Sequence, residues 1–268
     1  MATRLNYALP IARQFLLATV RRLRPGGLAG TLPPSTRDRP FVIVTGAGRS
    51  GTSATSRVLH ESGVRLGSDF DPGDDDNATG YYQERAVYET NGRMLAEMGM
   101  STIEGSYGWP WRSTVLAIAE RFSEELATIA RSDTDGWKDP IFSTTLEAWL
   151  PHLPARPKIV VCLRSPSAYA ESVARIYGLV DVGALERQWA KRYRRLLDVI
   201  RDYGLEAHCV EYSALLSNPK QTVAALAEFV GCELKSEYVE QELRRFASPV
   251  PEEYQALYDE VLRLGKAA

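Results

Sequence analysis

The chain has little of what disulfide, zinc or membrane chemistry needs. Its 268 residues hold three cysteines, Cys162, Cys209 and Cys232, odd in number and without CxxC spacing. Neither a zinc site nor a disulfide framework is indicated, no metal is expected, and a reducing, cytoplasmic compartment fits best. Cys162 and Cys209 fall inside apolar runs and read as buried thiols. No apolar stretch reaches the ~18 residues a membrane span requires. Charge of one sign is also missing: 32 basic residues stand against 34 acidic ones, for a net −2. That balance gives no global reason to expect a nucleic-acid partner, although a local basic pocket fits inside a neutral total. Repeats and low-complexity tracts are absent. With 44% hydrophobic and 25% charged residues, the chain has the composition of a globular domain with a sizeable core.

Residues 1–40 differ from the rest. Tyr7 to Val20 is apolar but broken by Pro10 and Arg13, and Arg4, Arg21, Arg22 and Arg24 flank it, so a signal peptide is not expected. A basic amphipathic helix fits, lying either on an anionic membrane surface or against its own domain. Pro25 to Pro40 reads as a linker. The boundary is therefore set at 1–40 for this segment and 41–268 for the main domain.

Within that domain, Phe41–Thr45 and Lys158–Leu163 read as buried parallel strands, with Ala207–Tyr212 and Gly136–Asp139 as further ones. Leu185, Trp189, Tyr193, Leu196, Leu197 and Ile200 recur at helical spacing, as do Tyr254, Leu257, Tyr258, Val261 and Leu262. Strands alternating with such helices predict an α/β fold, a P-loop-type three-layer domain with a central, mostly parallel sheet flanked by helices. The aspartate-rich stretch from Asp69 to Gly80 reads as a solvated loop and not a calcium site.

Directly after the first strand come Gly46-Ala47-Gly48-Arg49-Ser50-Gly51-Thr52-Ser53, then a helical pattern to Ser62 closed by Gly63. Strand, glycine turn and helix N-terminus together make a cradle of N–H groups for phosphate or sulfate. The bland alternative is a plain tight turn. The spacing is that of a Walker A loop, but Thr52 stands where the lysine should be, and no strand ends in the aspartate expected to help hold Mg²⁺. Arg49 supplies positive charge from inside the loop. A second anion site is predicted where the strand ending at Leu163 delivers Arg164, followed by Ser165 and Pro166 as N-cap and first helical residue. Ser172, two helical turns beyond Ser165, returns to the same face.

With these motifs the sequence resembles the sulfotransferases that use 3′-phosphoadenosine 5′-phosphosulfate (PAPS), in particular bacterial carbohydrate-type members. The resemblance implies that Gly48, Arg49, Ser50, Gly51, Thr52 and Ser53 bind the 5′-phosphosulfate and that Arg164 and Ser172 bind the 3′-phosphate. Weaker echoes are Gly80-Tyr81-Tyr82-Gln83-Glu84, Gly136-Trp137-Lys138-Asp139-Pro140, and Tyr212 with Leu215, Leu216, Asn218 and Pro219. Tyr212 is accordingly counted with the donor-binding residues. The similarity spans about residues 41–220. The family's C-terminal Arg-Lys-Gly is missing, with Arg244 and Arg245 as candidate substitutes, and its frequent catalytic histidine has no equivalent in His60, His152 or His208.

The implied reaction is in-line sulfuryl transfer from PAPS, as donor substrate, to a hydroxyl of a small-molecule or glycan acceptor. Arg49 and the loop N–H groups would stabilise the leaving phosphate oxygen, electrostatically because guanidinium stays protonated. Lys138 is the candidate to contact the sulfuryl group, its alternative being an exposed lysine. Glu84 is preferred as the base over Asp139, with Gln83 at the position where the family acid would align, one residue out of register. Tyr81, Tyr82, Tyr107, Trp109 and Trp111 could stack on an acceptor or simply pack. The competing functions are a nucleotide kinase, which Thr52 disfavours, and a non-catalytic nucleotide-binding scaffold.

Overall fold

Four short strands, each bounded by a turn or a helix start, set the framework in the computed structural model, which describes residues 32, 40–70, 73, 80–102, 110–178, 181–240 and 248–265. The strands are β1 Phe41–Gly46, β2 Gly136–Lys138, β3 Pro157–Leu163 and β4 Ala207–Glu211. They lie in the order β2-β1-β3-β4 and every pair is parallel. All four sequence-predicted strands form, each within about a residue of its expected end. Tyr212 is the exception at a boundary: it starts the next helix instead of ending β4.

The apolar runs are continuous because both faces of the sheet are covered. Phe41, Ile43, Ile159 and Val161 point into the larger core, whereas Val42, Val44, Val160 and Cys162 point into a smaller one. The smaller core is closed by α1 (Thr52–Glu61) through Val58 and Leu59 and by the helix Pro219–Val230 through Val223 and Leu226. On the larger side lie α2 (Arg85–Glu97), α3 (Phe142–Trp149), α4 (Pro166–Tyr177), α5 (Val182–Tyr203) and α6 (Glu252–Leu262). Helix, sheet and helix make three layers, as expected from the sequence.

Both periodic patterns become helices with their apolar residues inward. In α5, Leu185, Trp189, Tyr193 and Leu196 are buried, and Trp189 stacks near-parallel on Tyr258 of α6, ring centroids 6.4 Å apart. Gly63, with φ +98°, closes α1 by donating to the His60 carbonyl while Val64 returns to that of Leu59. Ser165 caps α4 as expected, its Oγ accepting from the Ala168 N–H at 3.3 Å, with Pro166 in the first turn.

Leu32, ahead of Pro40, packs against the larger core. The expected amphipathic segment around Tyr7–Val20 lies outside the described residues, as do most of the aspartate-rich loop, Tyr107, Trp109, Arg244 and Arg245. No helix among the described residues is long and apolar enough to cross a membrane. Of the thiols, Cys162 is buried as expected, Cys209 is only partly covered and Cys232 is exposed.

Candidate active site

The chain runs from β1 outward to β2 and then back across to β3, so the strand order reverses between β1 and β3. In an open parallel sheet that reversal leaves a crevice at the carboxyl ends of the strands. Every strand delivers a sequence-predicted residue to this end: the glycine loop follows β1, Lys138 closes β2, Arg164 follows β3 and Tyr212 follows β4.

The loop turns tightly because three of its residues take positive φ: Gly46 at +143°, Arg49 at +61° and Gly51 at +87°. At Gly46 a Cβ would lie 2.3 Å from the Cys162 carbonyl oxygen, and at Gly51 2.4 Å from the Tyr212 ring. Both glycines therefore serve close approach as well as conformation. Arg49 has no such exemption, and a left-handed arginine costs about 1–2 kcal/mol. Strain of this kind is kept where function needs the side chain.

Helix α1 starts at Thr52 with Gly51 as N-cap and no side-chain cap, so its first turn presents backbone N–H groups and the positive end of the helix dipole toward the loop. Ser50 and Thr52 are buried. Two arginines gather here: Arg164 Nη1 donates to the Arg49 carbonyl at 3.0 Å, and its guanidinium lies 5.2 Å from the centre of the Tyr212 ring. Burial pushes the Arg164 guanidinium pKa down, and the like charges of Arg49 and Arg175 add to this. Ser172 is buried on α4.

Lys138, an exposed surface lysine in the alternative reading, is instead 1% exposed. Its Nζ donates to Ser53 Oγ at 3.4 Å and to Gln83 Oε1 at 3.2 Å, and sits 5.8 Å from the centre of the Tyr81 ring. A lysine from β2 thus reaches the start of the helix where Thr52 replaces the Walker lysine.

The two carboxylates are placed differently from their expected use. Asp139 is fully buried, with Oδ1 accepting from the Ile141 N–H at 2.9 Å and from Gln83 Nε2 at 3.3 Å, and Oδ2 from Asn91 Nδ2 at 2.8 Å. Glu84 turns away from Lys138. Its Oε2 accepts from the Ser68 and Asp69 N–H groups at 2.7 and 3.1 Å, and at Gly67 a Cβ would lie 2.2 Å from that oxygen. The chain divides its contacts around Tyr82, whose φ is positive: Tyr81 and Gln83 meet Lys138, while Tyr82 donates to Glu61 and Glu84 closes the turn.

The aromatic candidates divide likewise. Tyr82, with φ +52°, packs against His60 and Phe70, and burial beside Glu61 pushes its phenol pKa up. Trp111 is 79% exposed. Of the histidines, His60 packs on Phe70, and His208 stacks on Phe229 at 5.3 Å.

Sequence reasoning missed Tyr193 and Asn91. Tyr193 spans the crevice floor, donating to the Cys162 carbonyl at 2.6 Å and accepting from the Ala47 N–H at 3.3 Å. Burial raises its phenol pKa and pushes the neighbouring Cys162 thiol up to about 12. In sequence Tyr193 is only one more member of an amphipathic stripe.

A sulfotransferase-family profile matches residues 40–236. Among solved structures, the sulfotransferase domain from the curacin biosynthetic pathway is 15% identical, with 84% of this chain and 98% of that one covered at a TM-score of 0.48. The sulfotransferase domain from the Synechococcus PCC 7002 olefin synthase is 16% identical over 88% and 91%, TM-score 0.47. A sulfotransferase from Alicyclobacillus acidocaldarius is 14% identical over 85% and 95%, TM-score 0.46. No curated protein matches the sequence.

Proposed function

This chain belongs to the sulfotransferase family, and we propose that it moves the sulfuryl group of PAPS to a hydroxyl on a small-molecule or carbohydrate acceptor. The observation that carries this reading is that Arg164 is tied to the Arg49 carbonyl beside the uncapped start of α1, within electrostatic reach of the Arg49 charge. Two like charges brought together in a half-buried crevice are unfavourable for the empty protein, and an anion with two phosphate groups relieves both at once. The 5′-phosphosulfate meets the loop residues Gly48 to Ser53, and the 3′-phosphate meets Arg164 and Ser172, with Tyr212 beside them.

In the reaction the bond from sulfur to the bridging phosphate oxygen breaks while the acceptor oxygen bonds to sulfur from the opposite side. The nucleotide leaves as 3′-phosphoadenosine 5′-phosphate (PAP), carrying the electron pair of the broken bond. Arg49 and the N–H groups of the α1 first turn stabilise charge growing on that oxygen. Lys138, held beside Ser53, offers its ammonium to the sulfuryl oxygens. The acceptor's proton passes to solvent as the new bond forms, because the Glu84 carboxylate is held by the Ser68 and Asp69 N–H groups.

Calorimetric titration with PAP, together with labelled PAPS supplied with a panel of phenolic, sugar and lipid-linked hydroxyl acceptors, tests the proposal. Tight PAP binding and label in an acceptor are expected. Binding without transfer to any acceptor would favour the scaffold reading, and Mg²⁺-dependent turnover of ATP the kinase.

A further inference from the structure

We propose that Asn91, Asp139 and Gln83 form a hydrogen-bond chain, its donors converging on Asp139 from both ends, that aims Lys138, making Gln83 a positioning residue and Asp139 its anchor. The claim rests on the reading above in which Lys138 meets the sulfuryl group. It begins at a group that can only donate: Trp149 Nε1 donates to Asn91 Oδ1 at 2.9 Å, and Thr145 Oγ1 donates to the same oxygen at 2.7 Å. Asn91 is fully buried, so its carboxamide is held with the oxygen toward α3 and the nitrogen toward Asp139.

Asp139, ionised, can only accept. It receives Asn91 on one oxygen and Gln83 Nε2 on the other, where the Ile141 N–H at the start of α3 also converges. Gln83 therefore faces Asp139 with its nitrogen, which leaves its oxygen for the ammonium of Lys138, a group that can only donate. Reversing any amide in the series sets donor against donor. The donors converge on Asp139 from both ends, from the indole of Trp149 through Asn91 and from the ammonium of Lys138 through Gln83.

The electrostatics explain why residue 83 is an amide. A buried ammonium and a buried carboxylate stand at its two ends, and a neutral spacer of fixed polarity satisfies both. A glutamate there would set two carboxylates against each other. The same arrangement removes Asp139 from the role of base, because its oxygens already hold three donors and their orientation depends on its remaining ionised.

Two measurements test this without an identified acceptor. Gln83→Met keeps length and volume but loses both hydrogen bonds. We expect its ratio of PAPS to PAP affinity, measured by calorimetry, to fall by about tenfold while PAP affinity stays within about twofold. A purely structural role moves both affinities together or neither, and an unchanged ratio in a variant that still binds PAP overturns the positioning role.

The second is a melting-temperature cycle. Gln83→Glu and Asp139→Asn should each lower the melting temperature, and the double variant should recover part of the summed loss. The pair restores a donor–acceptor contact between residues 83 and 139 at the same total charge, while the Ile141 N–H that shares that oxygen loses its acceptor. Losses that simply add overturn the converging chain. If the wild-type protein binds neither nucleotide, the sulfotransferase reading fails and the aiming role with it, while the melting cycle still decides whether the chain exists.

Discussion

The two halves of the crevice handle charge in opposite ways. At the β1–β3 half, Arg164 is held by the Arg49 backbone carbonyl and lies over the Tyr212 ring, and burial, with the like charges of Arg49 and Arg175 adding to it, weakens the Arg164 guanidinium's hold on its proton. At the β2 half, Lys138 and Asp139 are joined through Gln83 and locked to Trp149 through Asn91. Like charges assembled against their own repulsion belong to a site completed by an outside anion. Opposite charges satisfied through neutral amides belong to a scaffold that holds one cation in place. The first half should lose function on mutation and keep its fold, and the second should lose stability and keep its affinity for PAP.

Arg49→Ala offers the largest break of that contrast. Turnover of labelled PAPS should fall on the order of 10²–10³ with the melting temperature unchanged. Arg49→Gly should lose as much turnover and melt higher, because a glycine adopts the +61° φ without steric strain. A folded Arg49→Ala variant with near-normal turnover would remove the loop from the mechanism.

Arg164→Ala should weaken PAP binding by tenfold or more and flatten the preference for PAP over adenosine 5′-phosphate, with Ser172→Ala giving a smaller loss in the same direction. Both readings come from competitive titration. Retention of the wild-type preference in both variants would move the 3′-phosphate elsewhere.

At the other half, Asn91→Ala strips Trp149 of its acceptor and Asp139 of a donor, leaves Thr145 only the Ile141 carbonyl, and should cost about 1–3 kcal/mol in denaturant unfolding. PAP affinity in the variant that remains folded should stay within about twofold. A large affinity loss at constant stability would mean that the two halves are not separate.

Glu84→Gln sharpens the comparison at its boundary. Weakening two charge-assisted bonds to the Ser68 and Asp69 N–H groups should cost about 1 kcal/mol of stability and change turnover less than tenfold. A collapse of turnover at unchanged stability would show that the carboxylate leaves the turn and acts as the base. The smallest effect is expected from the N-terminus. Deleting residues 1–35 removes the Leu32 contact with the core and should lower the melting temperature by about 2–4 °C, whereas deletion of residues 1–30 should leave it unchanged.

Much of the fold was legible because it is written in short, contiguous signals. A β-rich run followed at once by glycines, a serine and proline opening a helix, and apolar residues at helical spacing each report a local property, and each formed where expected. Arg49 and Arg164 were legible for the same reason: each follows directly on a strand, and parallel strands deliver their carboxyl ends to one edge. Glu84 shows the limit. It differs from Gln83 by one position, and only the path of the chain around Tyr82 decides which of the two meets Lys138. Asn91 and Tyr193 carried no signal, since a buried asparagine and a tyrosine on helical stripes look the same whether they hold a loop or fill space.

By itself, then, the sequence determined the layers, the parallel strands, the glycine loop and the place of the two arginines, because these depend on neighbouring residues and on the period of the hydrophobic pattern. The tertiary structure alone decided the direction of the hydrogen bonds around Lys138, the turn that holds Glu84 and the tie of Tyr193 between β1 and β3. Periodicity tells which side chains are buried. Which buried donor meets which acceptor depends on how elements remote in the chain pack, and no local pattern encodes that pairing.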